Sequence, residues 1–511
     1  MSDELNERAP IAAQETGEDV RRLSWTRLDW VCMTFITLAG GIVRFVGLND
    51  AKGMMFDEVY YAKDACLYAG QPQSVCGIAS PENYVHPPLG KWLISIGIRL
   101  FGNNETGWRV ASALIGTLTI VLLYLLARKV LRSTLGASLA SGLLAVDLLS
   151  FVQSRVSMLD VFVPLFGVAT FLFLVCDRDR LAVSPTGGDP RWRPWRLAAG
   201  MAAGAATATK WSGAFFVVAA IVITLVWESA ARRRSGGGRP LRSAVTEEGL
   251  TIATWLVLVP VLVYLATYIG RVDGSVLALP WSDGSWFNNL IDEHRRALDY
   301  HWQLDARHAY ESPPWSWILL KRPVAYYVAP DSPDGFIGSI AAFGSPLVWW
   351  SFIPAFVFTF FAWARRRDFM GPEGLILAGV GFTYLPWLVL SSNRNAVFIF
   401  YLLPVVPFMC LTLAYCFVRL GRSIEARIAA AVFMAGVLGL FAFYHPLLVG
   451  TVLPYESWER RLLFNSDEGC EKPPGEPTTT TTTATVNGEE QVTTAETTNR
   501  DSLPPKGWCW L

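Results

Sequence analysis

Eleven apolar stretches constrain this chain more than any other feature. They lie near 28–48, 108–127, 133–151, 157–176, 196–209, 211–228, 249–269, 338–363, 372–391, 396–418 and 428–451. Most are long enough to cross a hydrocarbon core of ~30 Å as helices. The fifth and sixth also read as one long helix over 196–228. In lipid every backbone polar group must be satisfied internally, and runs of this length do so as helices. The 511 residues are 52% hydrophobic and only 17% charged, which favours repeated spans over several soluble domains. The expected fold class is an all-α polytopic membrane protein with about 11 transmembrane helices.

Arginines give the bundle a direction. Every even-numbered run ends in a basic cluster: Arg128, Lys129 and Arg132; Arg178, Arg180, Arg191 and Arg193; Arg232, Arg233 and Arg234; Arg365, Arg366 and Arg367; Arg419 and Arg422. Positive charge marks cytoplasmic loops, so the N-terminus is expected inside and the C-terminus outside. Residues 1–27 form a cytoplasmic segment with no short apolar core before a small-residue cleavage site, so the first run is read as a retained anchor. The loop 49–107, the loop 271–337 and the tail 452–511 then face outward. The formal net charge is zero, which leaves no global footprint for nucleic acid. Cys66 and Cys76 share one outward loop, and Cys470 and Cys509 bracket the tail. Both are candidate disulfide pairs on an oxidising side, whereas Cys32, Cys176, Cys410 and Cys416 in or beside apolar runs read as buried thiols.

The outward loop 49–107 holds the most informative residues. In "MMFDEVYYAKDA", Asp57 and Glu58 are adjacent carboxylates beside a membrane surface. Helix capping and the dipole stabilise acidic residues in a first turn by about 0.3–1 kcal/mol, which accounts comfortably for one of them. Desolvation of the other raises its pKa and makes it a usable base. Further on, "HPPLGKW" places His86 and Lys91 on a proline-stiffened frame. Leu89, Trp92, Leu93, Ile96 and Leu100 then recur at helical spacing, as in an amphipathic helix lying on the outer leaflet. Single cations stand at the outer ends of spans: Arg44, Arg109, Arg155, Lys210 and Arg394. Each alone reads as snorkelling or local pairing, such as Arg155 with Asp160. Five on one face would suit an anionic lipid headgroup such as a phosphate.

These motifs also carry a family resemblance. "FDEVYY", "HPPLGKW", "GWRVASALIG", "SRVSMLD" and "TKWSG" occur in the order and spacing of protein O-mannosyltransferases, membrane glycosyltransferases of the GT-C fold. "KRPVAYY" through "PLVWW", and later "FYLLPVVPF", resemble the C-terminal spans of that family. Eukaryotic members carry a β-trefoil insertion in the long outward loop, which 271–337 is too short to hold, so the chain resembles bacterial members. The resemblance implies transfer of mannose from a polyprenyl monophosphate mannose to Ser or Thr hydroxyls, with inversion, at the outer face of the plasma membrane. The acceptors it implies are secreted or membrane proteins leaving through the secretion translocon. It casts Asp57 as general base with Glu58 beside it, and Lys210 as the first choice for the donor phosphate. His86 and Lys91 line either substrate, and Arg44 and Arg109 orient the acidic loop together with Asp160. Arg394 and Arg155 are further candidates for the phosphate on the topology alone. No multi-ligand metal spacing is present, and a divalent ion would have only Asp57 or Glu58 to hold it. Lipid-linked mannose is the donor substrate.

The implied organisation has a catalytic transmembrane module over 28–270, a large extracytoplasmic loop over 271–337 and a second transmembrane module over 338–451. The aromatic-rich loop 271–337 is expected to form helices near 286–310 and to cover the site. The Thr/Pro-rich tail 471–505 cannot bury a core and reads as disordered. A related GT-C transferase with a lipid acceptor, and a membrane transporter, are the competing readings. A transporter would spread polar residues through the span centres, whereas the charges here gather at one face.

Overall fold

The computed structural model describes residues 24–183, 192–269, 286–303, 308–391, 396–462, 478–486 and 489–497, apart from single positions 235, 237, 309 and 422. Each of the eleven apolar runs becomes helical. Among the described residues, nine helices are long and apolar enough to cross a membrane. The other two runs are shorter. The third breaks into α5 (Thr134–Val146) and α6 (Leu148–Gln153). Asp147 at the break is extended and caps α6 by accepting from the Ser150 N–H at 3.0 Å, so the chain cannot continue straight. The fifth is α8 (Pro194–Thr209), and the extended residue Lys210 separates it from α9 (Ala214–Arg234), so 196–228 is two helices.

The remaining spans are α1 (Arg27–Phe45), α4 (Glu105–Leu131), α7 (Phe162–Val183), α10 (Pro240–Ala266), α12 (Pro346–Arg366), α13 (Pro372–Leu390), α14 (Val406–Arg419, entered through a 3₁₀ turn over Ile399–Val405) and α15 (Ile424–Val449). Residues of α7 and α14 are mostly buried, whereas α1, α10 and α15 are mostly open on their flanks. α8 packs closely against α10. A Cβ at Gly200 would run into the Trp255 carbonyl, and one at Gly204 into the backbone of Pro260. Small residues at such a crossing let two backbones approach, which is how helices associate where water provides no hydrophobic drive.

The loop between α1 and α4 builds α2 (Glu58–Tyr68) and α3 (Leu89–Phe101). α3 turns Gly90, Lys91, Ile94, Ser95 and Ile98 inward and leaves Ile96 and Leu100 exposed, as a helix lying on lipid would. Cys66 and Cys76 are disulfide-bonded, tying the last turn of α2 to the following segment. Replacing both with Ser is expected to cost about 2–4 kcal/mol of stability, read as a lower melting temperature without change in helix content. Cys470 and Cys509 lie outside the described residues.

The second large loop contributes α11 (Trp286–Gln303) and β1 (Val324–Val328), which pairs antiparallel with β2 (Ser339–Ala342) at the start of the eighth run, Val324 opposite Ala342. The tail departs from expectation. Thr478–Val486 and Glu489–Thr497 pair as an antiparallel hairpin, Thr478 opposite Thr497 and Val486 opposite Glu489. β-Branched Thr and Val favour extended pairing, and Asn487-Gly488 is a strong hairpin dipeptide that a composition-based reading passes over.

Candidate active site

The turn that presents the two carboxylates is locally strained. Phe56 has φ +49°, a region costly for a bulky L-residue. Its ring is held by its neighbours, stacked on Tyr326 at 4.9 Å and edge-on to Phe400 at 5.8 Å. From that turn the two acids part company. Glu58 is fully buried and accepts four hydrogen bonds: from Arg109 Nε and Nη2, both at 2.9 Å, from the Met55 N–H at 3.0 Å and from the Ser157 N–H at 2.8 Å. Arg109 in turn uses its other donors on the carbonyls of Leu48, Ala51 and Gly53. All five guanidinium N–H groups are thus committed to the loop that carries Asp57.

Asp57 is different. It sits at the head of α2 but makes no side-chain capping bond. Among the described residues its carboxylate accepts one hydrogen bond, from the Tyr61 hydroxyl at 3.3 Å. Burial pushes its pKa from 3.8 up to about 6, with Lys210 opposing the rise and Asp160 adding to it. Helix capping therefore does not account for Asp57.

Lys210 and Asp160 face each other as an ion pair, with Nζ 2.8 and 3.0 Å from the two carboxylate oxygens. Lys210 is placed by the stop between α8 and α9, and Asp160 by a 3₁₀ turn over Leu159–Val161. The Lys210 Nζ also lies 4.3 Å from the centre of the Tyr401 ring. Burial pulls the Lys210 pKa down, but Asp160 and Tyr401 more than compensate and hold it above its usual value. The Tyr61 phenol is driven well above its ordinary range by burial and then by Asp57 and Asp160, so it acts here as a hydrogen-bond donor.

The structure brings Asp57, Asp160 and Lys210 together and sorts the other sequence candidates elsewhere. Glu58, grouped with Asp57 as catalytic, has its oxygens occupied by Arg109 and two backbone amides and serves to position the turn. Arg155 does not pair with Asp160. Its guanidinium donates to the carbonyls of Val43 and Arg44 in the last turn of α1 and of Val46 and Gly47 just beyond it. Arg44 is buried and binds the carbonyls of Gly40, Leu144 and Ala145 and the hydroxyls of Ser150 and Ser154. It ties α1 to α5 and α6 and does not touch the acidic turn. Lys91 is buried on Asp64 at 3.0 Å and on the Asn83 carbonyl, knitting the loop together. His86 lies near Tyr61 and His301, with ring centres 6.0 and 5.7 Å away. Arg394 lies outside the described residues.

Two tyrosines escaped the sequence reading. Tyr326 and Tyr401 come from segments noted only for family likeness, and Gln153 Nε2 donates to the Tyr326 hydroxyl at 2.6 Å. The helix expected near 286–310 is present as α11 and lies beside the site. His301 Nε2 is 2.8 Å from the Val85 carbonyl oxygen, and His294 Nε2 is 2.8 Å from the Tyr264 hydroxyl, which accepts from Trp211 Nε1 at 2.9 Å. Among the described residues no three His, Cys, Asp or Glu side chains are grouped to hold a metal ion.

This arrangement can accept a proton at Asp57 and offer a cation at Lys210 within one largely desolvated space. Known proteins resemble the chain across most of its length. Residues 85–264 match the family model described as dolichyl-phosphate-mannose-protein mannosyltransferase, and 286–467 match the C-terminal four-span region of protein O-mannosyltransferase. A polyprenol-phosphate-mannose–protein mannosyltransferase of Mycobacterium tuberculosis is 31% identical over 479 residues, covering 84% of this chain and 90% of that protein. One from Corynebacterium glutamicum is 28% identical, covering 87% and 95%. The yeast Pmt1–Pmt2 complex bound to its sugar donor superposes with a TM-score of 0.69 at 14% identity, over 87% of this chain and 93% of that one, which shows a shared GT-C fold. Matched across both halves and to relatives over nearly their full length, the chain belongs to the protein O-mannosyltransferase family.

Proposed function

We propose that this protein transfers mannose from a polyprenyl monophosphate mannose to Ser or Thr hydroxyls of proteins, inverting the anomeric carbon. The observation that carries this reading is the contrast between two adjacent acids. Glu58 is saturated with donors, while Asp57 is held by a single phenol and pushed toward neutral pH. In the reaction the acceptor oxygen attacks the anomeric carbon and gives its proton to Asp57. The bond from that carbon to the phosphate oxygen breaks, and the electron pair leaves with the lipid phosphate. Charge grows on that phosphate, and a buried ammonium is worth most where charge develops. Lys210 fills this role while Asp160 holds it in place.

Orientation supports an extracytoplasmic site on the plasma membrane, since the basic clusters sit at the opposite ends of the spans from Asp57. Acceptors would then be met as they emerge from the secretion machinery. The test supplies radiolabelled polyprenyl phosphate mannose and a Thr/Pro-rich peptide to membranes bearing the protein. Label in the peptide is the expected result. Label passing only to a lipid fraction would instead indicate a lipid acceptor. Lys210→Gln is expected to raise the KM for donor roughly tenfold or more, the loss of a hydrogen bond to a charged group, while the KM for peptide stays near the parent value.

A further inference from the structure

At the end of the bundle opposite Asp57, two connected cavities lie between α9, α12 and α13. The outer one, about 750 Å³, is rimmed by Arg233, Arg234, Arg367 and Asp368 over an apolar floor. The inner one, about 240 Å³, is lined throughout by apolar residues including Val222, Ala378 and Phe382. Val226, Trp363 and Phe369 line both, so the two form one groove that is basic at its mouth and apolar along its length. On α9 it runs from Arg234 back to Val222, about 18 Å at 1.5 Å per residue. That exceeds half the thickness of a ~30 Å hydrocarbon core, or one leaflet.

Charge at the mouth is unbalanced. Arg234 pairs with Asp368 at 2.7 Å, whereas Arg233 and Arg367 pair with no carboxylate among the described residues. A second, independent feature lies where the cavities join. The Trp363 indole N–H is shielded from solvent yet donates to no group among the described residues. A buried donor left without an acceptor is costly, and an ester or glycerol oxygen would satisfy it. Guanidinium groups recognise phosphate through paired N–H donors, and basic pockets between transmembrane helices bind anionic headgroups. We propose that this groove is a binding site for an anionic diacyl phospholipid. Its phosphate lies at Arg233 and Arg367, its ester region at Trp363, and one acyl chain lies between α9 and α13. The site is remote from the catalytic groups and its occupancy does not depend on their roles.

The experiment titrates the full-length protein in detergent micelles with dioleoylphosphatidylglycerol and counts bound lipid by native mass spectrometry. Dioleoylphosphatidylcholine and glycerol phosphate are parallel probes. Phosphatidylglycerol is expected to be retained at least tenfold more strongly than either. Arg233→Gln with Arg367→Gln should weaken it roughly tenfold to thirtyfold, as expected for two basic contacts near a headgroup. Ala378→Phe, which fills the groove and leaves every charge in place, should weaken it as much; Val222→Trp closes the same groove if that variant does not fold. Arg365→Gln with Arg419→Gln, at the same end but outside the cavities, should change nothing. An equal loss in this last pair would mean diffuse surface attraction and overturn the site. So would undiminished binding to the groove-filled protein, or glycerol phosphate binding as tightly as the whole lipid.

Discussion

Asp57→Asn is expected to lower the rate of mannosyl transfer by roughly 10²–10⁴-fold, the usual contribution of a positioned general base. Asparagine keeps the shape and still accepts from Tyr61, so the variant should fold and bind donor as the parent does. Its stability should not fall. Asp57 has a folded pKa of about 6 against an ordinary value of 3.8, so folding favours its protonated form. That contribution is present below 3.8 and is lost as the pH rises through 6. At pH 7 the parent carries a charge the fold disfavours, so the variant should melt at the same temperature or slightly higher. The same shift fixes the acid limb of activity. The base must be ionised, so kcat/KM should fall about tenfold per unit below pH 6 and level off above it. The residual activity of Asp57→Asn should lack this limb. A limb of the same midpoint in the variant would remove Asp57 as the base.

Glu58→Ala is expected to act by a different route. It leaves the Arg109 guanidinium buried without its counter-charge and strips acceptors from the amides of Met55 and Ser157. Breaking a buried pair by removing one partner costs about 3–5 kcal/mol. Melting temperature and activity should therefore fall together, unlike for Asp57→Asn. Glu58→Leu combined with Arg109→Met removes both charges and their desolvation penalty, but it leaves the Met55 and Ser157 amides and three carbonyls without partners, so it should recover only part of the stability. It should not recover activity, since nothing then ties the carbonyls of Leu48, Ala51 and Gly53 to α4. Recovery of both would mean that Arg109 holds the bundle and not the acidic turn.

How these side chains divide the work could be read from the sequence only in part. Helical runs were legible because their apolar length has one solution in lipid. The break at Asp147 was not, because it depends on Ser345 and Trp349, distant residues whose N–H groups bond the same carboxylate. The lone cations are legible as charges at one depth, with a donor phosphate expected at Arg155 and the acidic loop expected at Arg44 and Arg109. For Arg44, Arg109 and Arg155 the claimants are carbonyls of the chain itself, many of them at the exposed end of α1 or in the loop after it. A sequence records where a guanidinium sits but not which orphan acceptors lie within its reach. Tyr326 and Tyr401 were hidden for a related reason. Aromatic residues are expected at membrane interfaces, and only tertiary packing brings these two beside Phe56 and Lys210.

The crossing of α8 and α10 bears on how accurately the ammonium group is aimed. Lys210 lies ten residues beyond Gly200, about 15 Å along a helix that behaves as a stiff rod. At Gly200 the rod rests on the Trp255 carbonyl with no room for a methyl group. A side chain added there would tilt the rod about its fulcrum, and the lever would magnify the tilt at its tip. The Nζ contact to Asp160, 2.8 Å in the resting protein, has little tolerance for such an error. The aim of the lysine is thus calibrated by an atom that is missing three turns away.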